Sequence, residues 1–182
     1  MIAFYDGNRT RVLIAAVLLG MAILNLLWFA AALRTTLADA GQDGWGAAAT
    51  AASAAVAAPL LLVTSIVAAL AHSIGDSENL ALLSGLNDFA WACVVLSSFP
   101  RAMLVMTAAF GLWRAKLISN ALFAVGVTAV VLVLVGGTTW LDGGFWAPDG
   151  VYSRLVSPLI CLLIRVMSRV LLTRSPATRS GW

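Results

Sequence analysis

From Val12 to Leu33 the chain carries no charged side chain, and an arginine stands at each end of the run, Arg11 before it and Arg34 after it. In hydrocarbon no water is available to a peptide N–H or C=O, so a lone segment of this kind satisfies its backbone only as a helix. About 20 residues at ~1.5 Å each are enough to cross a ~30 Å apolar core. The same pattern recurs along the sequence. The runs at about 12–33, 47–71, 89–113, 117–140 and 151–172 predict five membrane-spanning helices joined by short connections. The expected fold class is all-α, a single polytopic transmembrane bundle over residues 1–182.

Composition excludes the main alternatives. Apolar residues make up 62% of the chain and charged ones 10%, against roughly 45–50% and 25% in a soluble domain. Five spans use most of the 182 residues, which leaves no length for a separate soluble domain. The first run is a full span without a cleavage-site pattern, so it reads as retained and not as a signal peptide. The net charge of +3 is spread over span ends and interiors instead of gathering on one face, which argues against nucleic-acid binding. Cys93 and Cys161 both fall in predicted spans, where a thiol acts as a small apolar side chain.

Within the third run Pro100 and Arg101 stand side by side between Ser97-Ser98-Phe99 and Ala102-Met103-Leu104. Proline lacks an N–H, which releases the Leu96 carbonyl and predicts a kink. A guanidinium in hydrocarbon costs about 2.5–3.5 kcal/mol on insertion scales, so Arg101 is expected to face protein, water or an anion instead of lipid. Two readings of it stand together. In one, Arg101 bonds to the Leu96 and Ser97 carbonyls at the kink and to a few waters, while Arg165 and Arg169 snorkel toward the cytoplasmic face. In the other, alone or with Arg165, it meets an anion: a lipid head group, a small carboxylate or phosphate, or an acid on another helix.

The second run opens with AAATAASAAVAAP. Small residues let neighbouring backbones approach closely where lipid is as apolar as leucine, so this span belongs inside the bundle. Pro59 is a second bend, serving either packing or, with Pro100, a cavity. Asn25 is the strongly polar interior residue of the first span, suited to an interhelical hydrogen bond or a ligand contact. Counting along the helices puts Asn25, Arg101, Thr128 and Arg165 at comparable depth, a candidate polar layer. All eight acidic residues lie in connections or at span ends.

Between spans two and three, His72–Asn87 reads as an acidic connection, with Leu80, Leu82, Leu83 and Leu86 forming a short amphipathic interfacial helix. His72, Asp76, Glu78 and Asp88 do not have the spacing of a metal site and suggest no cofactor. His72 fits better as a solvated or capping residue. Trp45, Phe145 and Trp146 suit the interface. Placing the N-terminus outside puts Arg34, Arg114, Lys116, Arg169, Arg174 and Arg179 on the cytoplasmic side, leaving Arg9, Arg11 and Arg154 outside. The positive-inside rule therefore gives an N-out, C-in cell-membrane protein.

The segment Ile2–Leu13 (IAFYDGNRTRVL), followed by a run ending in Trp28–Arg34 (WFAAALR), is similar to the start of the second span in a group of actinobacterial multi-pass proteins. Leu86–Ala90 through Phe99-Pro100, Gly111–Arg114 and the loop Gly144–Gly150 (GFWAPDG) resemble that group too. The group is related to a bacterial domain-of-unknown-function family of six spans. The resemblance implies that this chain lacks the family's first span, in keeping with an outside N-terminus, and it implies no activity. Arg101, Arg165 and Arg169 depart from it, standing where apolar residues are expected.

Three function classes follow. The first is an accessory or interaction protein that packs against a larger membrane complex or against copies of itself, with Arg101 paired to an anion or partner helix. The second is a carrier or binding protein for a small hydrophobic anion or an anionic lipid. The third, a lipid-modifying enzyme, is disfavoured because no catalytic constellation stands out in the sequence.

Overall fold

A computed structural model describes residues 2–73 and 80–138, with positions 162, 165, 166 and 169. Every regular element among them is helical: α1 (Ile2–Asp39), α2 (Asp43–Ser73), α3 (Leu80–Leu96), α4 (Ser98–Arg114) and α5 (Asn120–Gly136). The protein is an all-α bundle. Three stretches are long and apolar enough to cross a membrane, Gly7–Asp39, Asp43–His72 and Ala81–Arg114, and Asn120–Gly136 is a shorter apolar helix. The fifth expected span, 151–172, lies outside the described residues except for Leu162, Arg165, Val166 and Arg169, which are helical.

The helices outrun the apolar runs. In α1 the backbone breaks at Asn8 (φ −126°, ψ 15°) and then continues past Arg34 to Asp39. The stretch from Arg34 to Gly46, which reads from the sequence as a short loop, is mostly helix, and the turn itself is Ala40–Gln42. Gln42 N–H reaches back to Leu37 O (2.7 Å) and Gly41 N–H to Ala38 O (2.9 Å). This is the double hydrogen bond that closes a helix C-terminus through a left-handed residue. Gly41, at φ +71°, supplies that residue.

Two antiparallel hairpins share α2 as their common wall. α1 packs along α2, α2 packs on both α3 and α4, and α5 packs on α4. The alanine-rich start of α2 explains its position. Ala49, Ala52, Ser53, Val56 and Ala57 recur three and four residues apart and are all buried, forming a flat stripe on which neighbouring helices can settle. At Gly46 an added Cβ would sit 3.1 Å from both Cα and O of Arg34, so the absence of a side chain is what lets α1 and α2 meet there.

The core has two parts. Leu33 and Leu37 of α1, Ala49 and Ala52 of α2, Ala108, Ala109 and Leu112 of α4, and Ala129 and Val133 of α5 form the larger one. Val63, Ile66 and Leu70 of α2 with Leu83 and Ala90 of α3 form the smaller. Leu83 thus corrects the expectation of an interfacial helix at 80–86. Its leucines are the first turns of α3, and Leu83 is buried against α2 because the apolar face of α2 extends that far. The fourth run also differs: α5 starts at Asn120, not 117, and ends at Gly136. Its cap, Gly137, lies against the Phe99 ring, so α5 matches α4 in length and stops level with the start of α4.

Candidate functional site

The third crossing is broken at Ser97, one turn before Pro100. Pro100 cannot donate to Leu96 O, and the backbone there passes from α3 to α4 through a single turn residue. Ser97 N–H still reaches Cys93 O (3.0 Å) and Arg101 N–H reaches Ser97 O (3.1 Å). Pro59, by contrast, sits inside α2 without interrupting it.

Arg101 closes this break. Its side chain, partly buried, folds back towards the N-terminal side: Nε donates to Ser97 O (3.1 Å), Nη2 to Val94 O (2.6 Å), and Nη2 also reaches Ser98 Oγ (3.4 Å). Ser97 Oγ adds a bond to the same Val94 carbonyl (2.6 Å). Ser97 and Ser98 are both buried. A cation inside an apolar bundle is thus met by carbonyl dipoles at a place where the helix ladder is interrupted. The Ser97 carbonyl was foreseen as a partner. The Val94 carbonyl is a further partner that sequence reasoning did not name, reached because a side chain leaving α4 points back along the helix toward the turns before it.

The other candidates stand elsewhere. Asn25 is exposed on α1 and gives one amide hydrogen to Met21 O (2.9 Å). Thr128 is exposed on α5 and donates to Ala124 O (3.0 Å). Arg165 is exposed in its helical segment. The comparable depth counted from the sequence therefore does not bring Asn25, Thr128 and Arg101 to one internal layer, because such a count does not fix which way each side chain faces. Thr64, Ser65 and the buried Ser53 and Thr107 likewise donate to carbonyls three or four residues back on their own helices.

At the end of the bundle where α1 turns into α2 and α4 turns into α5, four aromatic rings gather. Trp45 stacks on Phe110 (5.5 Å between centroids), Phe110 meets the Phe123 ring edge-on (4.9 Å), and Phe123 stacks on Trp113 (4.7 Å). Trp113 Nε1 donates to Asn120 Oδ1 (2.9 Å). Sequence reasoning singled out Trp45 as an interface anchor but missed the cluster, whose members come from three helices. At the opposite end Arg9 Nη2 lies 3.2 Å from His72 Nδ1. An arginine has no acceptor, so this ring nitrogen accepts, and the His72 side chain joins α1 to the last turn of α2.

Cys93 is a free thiol, and Cys161 lies outside the described residues. Among the described residues no group of three His, Cys, Asp or Glu side chains converges as a metal site would require. No protein-family model matches this chain, and no curated protein or solved structure matches it either.

Proposed function

We propose that this protein is an integral membrane interaction protein, a small helical bundle that packs against the helices of a larger membrane assembly. The observation that carries the reading is the imbalance of burial among the long helices. In the most apolar 18-residue stretch of each, 50% is buried for Ala81–Arg114 and 33% for Asp43–His72, but 6% for Gly7–Asp39. The first helix is held along one side and presents the other outward, with an asparagine and a tryptophan on it. In this reading the Arg101 break is a polar feature within the same bundle, where an anionic lipid head group or an acid on a partner helix can approach the guanidinium.

The orientation belongs to the same proposal. The end bearing Arg34, Arg114 and Lys116 faces the cytoplasm and the end bearing Arg9 and Arg11 faces out, by the bias of short loops toward cationic residues on the inner side. Blue-native electrophoresis of gently solubilised membranes tests the function: the chain should migrate within a species much larger than one copy in its micelle. Migration as a lone copy overturns the reading.

A further inference from the structure

Seen along its axis, α1 has two seams. Ile23, Leu26, Ala30, Leu33 and Leu37 recur every three or four residues on the side that meets the bundle, and Ile23, Ala30, Leu33 and Leu37 are buried. Roughly 140° around the helix, at 100° per residue, Ile14, Leu18, Met21, Asn25, Trp28 and Ala32 keep the same alternation of four and three. This second seam is open: Leu18 is 64% and Trp28 76% exposed. A 4-3 repeat is the spacing by which one helix lies along another.

Lipid is an adequate neighbour for the isoleucine, leucine and methionine, but not for the carboxamide. Asn25 stands nine residues from Arg34 and fourteen from Arg11, about 14 and 21 Å along the helix, well inside the apolar run. Its bond to Met21 O uses one N–H. The second N–H and Oδ1 have no partner among the described residues, and an amide group left so in hydrocarbon costs several kcal/mol. Thr128 on α5 makes the contrast: its single O–H is already given to Ala124 O.

Resting on the reading that α1 is a docking face, we propose that its occupant is the α1 helix of a second copy of this chain. Every copy enters the membrane in the same orientation, so two copies pair about an axis along the membrane normal and their α1 helices run parallel. The residue on such an axis meets its own twin. A cation or a carboxylate would repel its twin there, but a carboxamide is donor and acceptor at once, and Asn25 Nδ2 of each copy can donate to Oδ1 of the other. One asparagine in an apolar 4-3 seam also fixes the register.

The test uses the full chain, with Cys93 and Cys161 changed to alanine, purified and reconstituted in phosphatidylcholine liposomes at high dilution. Oxidation of Leu18→Cys and of Met21→Cys should give a disulfide-linked dimer, whereas Val131→Cys, exposed on α5, should not. In energy-transfer titrations of labelled copies, Asn25→Leu should weaken association roughly three- to thirty-fold, and Asn25→Gln should restore most of it. Circular dichroism confirms that each variant keeps its helices. Equal cross-linking at Val131→Cys, or undiminished association of Asn25→Leu, overturns the proposal. A chain that stays monomeric in liposomes, while Asn25→Leu abolishes its large species in native membranes, also overturns it and leaves the docking face with a different occupant.

Discussion

Arg101 Nη2 donates to the carbonyl oxygen of Val94 at 2.6 Å, seven residues back across the break at Ser97. A regular helix brings residues three and four apart together; a reach of seven exists here because α3 and α4 meet at an interruption that the guanidinium fills. Replacing Arg101 by leucine removes a cation whose insertion costs about 2.5–3.5 kcal/mol and also removes the clasp. Expression of Arg101→Leu should be equal to or above wild type. Spin labels at Gly85 and Lys116 should then report a broader distance distribution by pulsed electron resonance. An unchanged distribution would show that the guanidinium does not hold the break.

The turn between α4 and α5 repeats the closure of the turn between α1 and α2, with one difference. Leu117 N–H bonds Leu112 O and Lys116 N–H bonds Trp113 O, both at 2.9 Å, but the left-handed position is Lys116 at φ +57° where the first turn has Gly41. A side chain there costs about 1 kcal/mol. Lys116→Gly should therefore raise the midpoint of thermal unfolding in detergent, followed by tryptophan fluorescence, by a few degrees. Gly41→Ala should lower it.

Gly111 lies where α4 crosses the α1–α2 turn. A Cβ there would come within 2.7 Å of Leu37 Cδ1 and 3.0 Å of Trp45 Cβ. Leu37 has no exposed surface through which to move aside. Gly111→Ala should destabilise the bundle by about 1–3 kcal/mol, measured as unfolding in mixed detergent micelles, and Gly111→Leu should prevent a folded species from being recovered.

Ser119 caps α5. Its Oγ accepts from Leu122 N–H (3.3 Å) while its backbone stays extended. Ser119→Ala should cost about 1 kcal/mol in the same assay, and Ser119→Asp should keep most of the stability. Loss of helix content confined to one short segment, read by hydrogen exchange at Leu122 and Phe123, would localise the effect to α5.

The run from Val12 to Leu33 announces a helix that suits a bilayer because hydrocarbon offers the peptide group no other partner, and that inference needs no neighbour. The alanine spacing of α2 likewise foretells a helix approached closely on one side, and Pro100 foretells a break, found one turn earlier at Ser97. These are local consequences of composition and of a missing N–H. The azimuth of each helix was decided only by packing. Counting along the spans puts Asn25, Thr128 and Arg101 at comparable depth, yet Asn25 and Thr128 turn outward while Arg101 turns back on Val94, because the rotation of a helix is set by which of its faces best fits the neighbour it meets. Helix continuity was decided in the same way: Leu80–Leu86 reads as a short separate helix lying in the interface, but Leu83 finds the apolar face of α2 beside it, and the segment runs on without a break as the first turns of α3.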